Sequence, residues 1–199
     1  KDLMLLKRIP KIDYIYIPKF RDIYTNKAKP KISIKKSDKI LCAKFRKGHF
    51  EGVLDVMDRL TNLIKPNKIF MGKKDYQQLF LVKNYIEKKH KTKIIGCKTI
   101  RNKNKLALSS RNFFFKKDDL EQLEIISKKF LNLRKNIINQ KNIKKFLWQS
   151  KKDIEKLFKI KIEYLENRNV KNLKISNKHR GSKIFLSYYF KDIRLIDNF

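Results

Sequence analysis

From Phe50 to Cys97, two stretches of helical spacing alternate with two short β-prone runs, and few folds accommodate that order. Val53, Val56, Met57, Leu60, Leu63 and Ile64 recur at three- and four-residue intervals, and Pro66 closes the helix they predict. Lys68-Ile69-Phe70-Met71 reads as a buried strand ending at Gly72. A second helix follows over about 75–89 with Leu79, Val82 and Ile86 on one face, and Lys93-Ile94-Ile95-Gly96-Cys97 is the next buried strand. Strands separated by a helix cannot form a hairpin. They must lie parallel, joined by a crossover, in an α/β sheet.

Upstream, residues 2–8 read as a helix end before Pro10, and Asp13–Ile17 as a buried strand stopped by Pro18. The lysine-rich stretch 26–40 reads as loop with a weak edge strand at Ile32–Ile34. After Asn112 the pattern changes. Asp118 with Glu121 resembles a capping box opening a helix that carries Leu120, Leu123, Ile126, Phe130 and Leu131. Another helix is predicted over about 142–158. Strands follow at Lys161–Leu165, Asn172–Ile175, Lys183–Phe190 and Arg194–Asp197. Helices followed by strands predict a small α+β domain, with a boundary at about residue 113.

Two polar clusters stand beyond the carboxyl ends of the predicted parallel strands: Lys74-Asp75-Tyr76-Gln77-Gln78 and Ser109-Ser110-Arg111-Asn112. Ligands of open parallel sheets bind at that edge. A cation, a carboxylate, amides, hydroxyls and a guanidinium converging there suit a phosphate-bearing substrate. Taken singly, each residue has a plainer reading. Lys74 beside Lys73 is a solvated lysine, Asp75 a helix cap, and Ser109-Ser110 a loop. His49 reads as a hydrogen-bonded structural residue at a helix start, with His90 and His179 exposed. Cys42 and Cys97 read as small buried or semi-buried fillers, with neither metal-ligand spacing nor a disulfide framework.

The formal net charge of +33 raises the alternative of a non-catalytic basic module that binds nucleic acid. Its distribution argues otherwise. Lysines fall in almost every segment and outnumber arginines about four to one, whereas specific readers of nucleic acid lean on clustered arginine. Abundant Lys, Asn, Ile, Phe and Tyr with only 5 Gly and 4 Pro is the signature of an AT-rich coding sequence. No specific nucleic-acid partner is expected; weak binding by counterion release at low salt is. No apolar run approaches the roughly 18 residues that span a bilayer, and no signal peptide is visible, so a cytoplasmic, thiol-reduced protein without a membrane partner is expected.

FRKGHFEGV (45–53), MGKKDYQQL (71–79), LALSSRN (106–112) and DIRLIDN (192–198) resemble, in order and interval, the motifs of the pantoate–β-alanine ligase family. LALSSRN together with KDYQQ is highly specific. The resemblance implies a Rossmann-like nucleotidyl transferase with a C-terminal lid domain, hence a nucleotide-binding part over 1–112 and a lid over 113–199. It implies ATP as a substrate, Mg²⁺, usually a homodimer, and a two-step reaction. Pantoate's carboxylate attacks the α-phosphate of ATP, and β-alanine's amine then displaces AMP. By resemblance, Met71, Gly72, Lys74, Asp75, Leu108, Ser109, Ser110 and Arg111 contact ATP, with Lys74, Ser109 and Arg111 in catalysis. Gln78 contacts pantoate, and Arg46 lies near the site. Another transferase of the same superfamily with a different acid substrate is a further alternative.

The chain also departs from the family. The resemblance leads one to expect an opening strand and an HxGH turn whose histidines stabilise the phosphates. Neither is in this sequence, which does not begin with Met, so little turnover is expected from these 199 residues alone. Cys42-Ala43 stands for the usual Glu-Gly, Lys47 for Pro, Lys73 for Glu, and Asn104-Lys105 for Asp-Gly.

Overall fold

A computed structural model describes residues 2–24 and 32–199. Two short helices, α1 (Asp2–Leu6) and α2 (Phe20–Ile23), precede α3 (Leu41–Phe45) and α4 (His49–Ile64). There follow β1 (Lys68–Gly72), α5 (Tyr76–Lys89), β2 (Lys93–Cys97), α6 (Lys117–Asn136) and α7 (Ile143–Phe158). The chain closes with β3 (Lys161–Asn169), β4 (Ser182–Phe190) and β5 (Ile193–Asn198). β1 and β2 pair in parallel, with Lys68 opposite Lys93 and Gly72 opposite Cys97, as the crossover demanded. β3, β4 and β5 form an antiparallel sheet in that order. The molecule is therefore the expected α/β fold of a Rossmann-like sheet with a smaller α+β part.

α4 presents Phe50, Leu54, Asp58 and Thr61 to the interior, while Leu63 and Ile64 are exposed. The polar pair is accommodated because Thr61 Oγ1 donates to the Met57 carbonyl at 2.6 Å and Asp58 is doubly bonded. The Asp58 carboxylate accepts from Lys89 Nζ at 2.6 Å and His90 Nε2 at 2.7 Å, tying α4 to the end of α5. Burial opposes the Asp58 charge, but those two donors prevail and hold its carboxyl below the usual range. His90 is thus not the exposed histidine its sequence context suggested, and His179 is only half-buried.

One apolar cluster joins Ile34, Leu41, Phe50, Leu54, Leu79, Val82, Ile86 and Ile94 to Tyr164, Leu173 and Phe185 of the C-terminal part. The other gathers Leu123, Ile126, Phe130, Ile143, Leu147 and Ile154 over Ile162, Ile184 and Leu186, and includes Leu106.

Several local expectations fail. Asp13–Ile17 is not a buried strand: Tyr14 is 93% exposed, Tyr16 and Ile17 are exposed, and no described strand pairs with it. β-Propensity makes no ladder without a neighbour. Phe70 is 66% exposed and Ile95 is also exposed, so β1 and β2 are covered on one face only. Ile32–Ile34 has no strand, although Ile34 is buried, and 26–31 of the lysine-rich stretch lie outside the described residues. Residues 172–175 make a single bridge, Arg168 to Ile175, instead of a strand. The first turn of α6 is closed by Asp119, which accepts from the Lys116 N–H at 3.3 Å, and not by Asp118 and Glu121. Cys97 is exposed; only Cys42 is buried.

With so few glycines, the chain puts lysine where helices end in the left-handed region: Lys65 after α4 (φ 51°) and Lys159 after α7 (φ 50°). Gly48, with φ 77°, supplies the sharp entry into α4.

Candidate active site

Because β1 and β2 run parallel, both carboxyl ends reach the same edge of the sheet. β1 passes at Gly72 into a 3₁₀ turn, Lys73–Asp75, and then into α5. β2 leads through Arg101 and the 102–108 loop to a second 3₁₀ turn, Ser110–Phe114. The two polar clusters face adjoining depressions. Arg46, His49, Lys74, Asp75 and Gln78 line one, with Cys42, Tyr164 and Asp197. Lys74, Ser109, Arg111 and Asn112 line the other, again with Asp197. Lys74 belongs to both, and its ammonium has no ion-pair or hydrogen-bond partner among the described residues.

The two glutamines divide their labour. Gln77 is buried, and its amide donates to the carbonyls of Asp38 (3.0 Å) and Ile40 (2.8 Å) and accepts from the Ala43 N–H (3.3 Å). That fixes the first turn of α5 against α3. Gln78, the next residue, lines the depression with its amide unbonded to any described residue. Asp75 takes the cap position of α5 but makes no capping bond, so its exposed carboxylate is also free.

The second cluster is shaped by short-range polar bonds. Asn102 Oδ1 accepts from the N–H groups of Asn104 and Leu106, both at 3.0 Å, and Glu124 holds the amides of Asn102 and Asn104 at 2.6 and 2.5 Å. Asn104 therefore does not take up the carboxylate role of the usual Asp. It anchors the loop to α6. Ser109 Oγ accepts from the Arg111 N–H at 3.3 Å, Asn112 donates to the Ala107 carbonyl at 3.2 Å, and the Arg111 guanidinium donates to the Arg194 carbonyl.

Four expected contacts lie outside these depressions. Leu108 is 55% exposed and Ser110 is exposed, and neither lines them. Gly72 is exposed with no heavy atom within 4 Å of where a Cβ would stand, and Met71 packs beside the adjacent apolar cluster.

Beneath the first depression lies a polar chain that periodicity did not reveal. A bulge between Ile162 and Tyr164 leaves Glu163 out of the β3–β4 ladder. Glu163 accepts from Arg194 Nε and Ser187 Oγ, both at 2.8 Å. Arg194 reaches Cys42 Sγ at 3.6 Å, and Cys42 lies 3.0 Å from the Tyr164 hydroxyl. Burial pushes the Tyr164 phenol far up, so it stays neutral. Burial opposes the Glu163 charge, but Arg194 and Ser187 outweigh it and keep the carboxyl ionised. Cys42 thus occupies the usual Glu position as a thiol between a phenol and a guanidinium.

The His49 imidazole makes no hydrogen bond to a described residue; it leans on Phe50 with ring centroids 5.0 Å apart. Partial burial, then Arg46 and Arg194, lower its pKa below 6.5, leaving a neutral imidazole at pH 7. Sequence reasoning also passed over Asp197 and Asn198, although DIRLIDN contains both. Arg101 grips Asp197 bidentately at 2.6 and 2.7 Å. Among the described residues, no three His, Cys, Asp or Glu side chains gather as a metal cage.

Comparison with known proteins adds an independent line. The model of the family described as pantoate-beta-alanine ligase matches residues 1–199. The pantothenate synthetase of Caldicellulosiruptor bescii is 32% identical over 191 residues, which are 94% of this chain and 67% of that protein. That of Campylobacter hominis is 36% identical over 200 residues, covering 94% and 68%. Among solved structures, the pantothenate synthetase of Thermus thermophilus superposes with a TM-score of 0.89 at 24% identity, over 100% of this chain and 72% of that one. The Francisella tularensis pantoate-beta-alanine ligase, solved with β,γ ATP and β-alanine, gives a TM-score of 0.69 at 34% identity, over 90% and 61%.

Proposed function

Since the chain belongs to the pantoate–β-alanine ligase family, whose reaction joins pantoate to β-alanine with ATP, we propose that the paired depressions carry that reaction between them. Lys74 and Arg111 meet the phosphates, and Gln78 meets pantoate. The observation that carries this reading is Lys74, an unpaired cation common to both depressions. In the first step a pantoate carboxylate oxygen attacks the α-phosphorus, the bond to the β-phosphate oxygen breaks, and pyrophosphate leaves. In the second, the β-alanine amine attacks the acyl carbon of the pantoyl adenylate, AMP leaves, and the amine sheds a proton. Two anions must meet in the first step, so neutralisation and positioning supply most of the acceleration. Lys74 stands where both charges converge. Arg111 is aimed by the Arg194 carbonyl, which leaves its remaining N–H groups for phosphate oxygens. Gln78 offers an amide donor to a carboxylate one turn along from Lys74.

Magnesium fits as an ion carried by the nucleotide. Asp197 is taken by Arg101, so Asp75 is the free carboxylate that would hold it alongside phosphate oxygens and water. When bound, the ion neutralises phosphate charge. A division at about residue 113, a homodimer and a cytoplasmic location belong to the same reading; sedimentation of the purified protein tests the dimer. No helix among the described residues is long and apolar enough to cross a membrane. The nucleic-acid alternative and the alternative acid substrate are not favoured, because the family match runs the length of the chain.

The test is pantoate-dependent exchange of pyrophosphate into ATP, measured with the product of the whole gene. Lys74→Ala should lower it about 10²- to 10³-fold, the usual effect of removing one preorganised electrostatic group. Its melting temperature should hold, since the Lys74 side chain bonds nothing described. Exchange indifferent to that substitution overturns the assignment.

A further inference from the structure

The end of β5 is fastened to the turn that carries Lys74. Asn198 is 3% exposed, and its Nδ2 donates to two successive main-chain carbonyls, Lys73 at 2.9 Å and Lys74 at 2.8 Å. Its Oδ1 accepts from Lys183 Nζ at 2.9 Å, so both amide hydrogens and the amide oxygen are bonded. The main chain of Asn198 is clamped as well. Its N–H donates to Asp197 Oδ1 at 2.7 Å, and its carbonyl accepts from Arg101 at 3.1 Å. Arg101 itself lies over the Phe199 ring, with its guanidinium carbon 4.4 Å from the ring centroid.

The chemistry of this arrangement is specific. The Lys73–Asp75 turn has no side-chain cap of its own. Two of its carbonyls instead receive a side-chain donor brought from more than a hundred residues away. A side chain with two N–H groups on one nitrogen serves both carbonyls at once, and an amide, unlike an ammonium or a guanidinium, also offers an acceptor to the Lys183 ammonium. An aspartate of the same shape would keep the Lys183 contact and lose both donors, setting its carboxylate against two carbonyl oxygens. Lys183 is partly buried, and that burial lowers its pKa; contact with the amide oxygen gives its ammonium a dipole to lean on.

We propose that Asn198, seated by Arg101–Asp197 and Lys183, is a positioning residue that sets the Lys73–Asp75 turn and through it the direction of Lys74. Its effect on nucleotide is exerted through Lys74 and rests on the reading of Lys74 as a phosphate contact. Its effect on the turn does not.

The experiment compares wild type, Asn198→Asp, Lys74→Ala and the double variant, all in the product of the whole gene. Peptide-resolved hydrogen exchange over 70–78 should be at least tenfold faster in Asn198→Asp, while peptides of β4 and α6 exchange as in wild type, which separates a loosened turn from a failed fold. ATP affinity by calorimetry should fall about tenfold in Asn198→Asp, and the same substitution should have no further effect once Lys74 is alanine. Unchanged exchange at 70–78 overturns the proposal. So does an affinity loss that persists in the Lys74→Ala background. If Lys74→Ala leaves ATP affinity intact while Asn198→Asp still speeds exchange at 70–78, the phosphate role of Lys74 fails and the positioning of the turn stands.

Discussion

Replacing Asp58 by asparagine removes a buried charge from the clasp between α4 and α5 and leaves its shape. The carboxylate, on a residue 7% exposed, accepts two charge-assisted or polar bonds, at 2.6 Å from Lys89 and 2.7 Å from His90. Hydrogen bonds to a charged group contribute about 1.5–3 kcal/mol each. The Lys89 side chain is 51% exposed, so its share falls at the low end, whereas the His90 side chain is 16% exposed and loses more. Asparagine keeps one acceptor and spares the desolvation of a carboxylate. The net loss at pH 7 should therefore be about 2–3 kcal/mol, or roughly 4–12 °C in melting temperature for a chain of this size.

The pH dependence has a definite sign. The folded carboxyl is held below its ordinary value of 3.8, so the clasp is fully present above that value and is lost as pH falls through the lower, folded one. Urea unfolding of wild type and Asp58→Asn from pH 7 downward measures both points. The difference between the two proteins should be constant from pH 7 to about 5 and shrink once the solution passes below about 4. A difference below about 0.5 kcal/mol at pH 7, or one that survives undiminished in acid, refutes the reasoning, because ordinary surface substitutions stay within that margin.

Two further outcomes follow from burial alone. Phe130 is 1% exposed at the centre of the C-terminal cluster, and Phe130→Ala should cost about 3–5 kcal/mol in urea unfolding. The two cysteines should separate cleanly in thiol titration with a disulfide reagent: exposed Cys97 reacts in the native protein, and buried Cys42, shielded by Tyr164 and Arg194, reacts only on unfolding.

The parts of this molecule that were legible in the sequence are those fixed by local pattern. α4, α5, α6 and α7 follow from apolar spacing and their stops, and the parallel pairing of β1 with β2 follows from the crossover between them. That Lys74, Gln78, Ser109 and Arg111 line adjoining depressions was legible because motif and strand end coincide. What escaped notice depends on contacts distant in the chain. Nothing in the helical spacing marks Asp58 as buried; His90, 32 residues on, arrives beside it only in the fold. Asp13–Ile17 has the composition of a strand, but composition does not supply a neighbour. The Glu163 bulge, which breaks the alternation of β3, has no residue signature, and neither has the reach of Asn198 to the Lys73 and Lys74 carbonyls. Leu108 and Ser110 sit inside the right motif but are exposed and line neither depression, which a motif read as a string of letters does not reveal.

That last reach has a consequence in time. Asn198 lies 124 residues beyond Lys74, and ribosomes add roughly 5–20 residues per second, so the turn that holds Lys74 waits roughly 6–25 s after its own synthesis for the donor that sets it. During that interval β1, α5 and β2 can fold from contacts near in sequence, while the seam they share with β5 stays open. A nascent chain of this protein would therefore gain β1, α5 and β2 before the donor that fastens the lysine turn between them, and that turn would come to rest later than the strands that flank it.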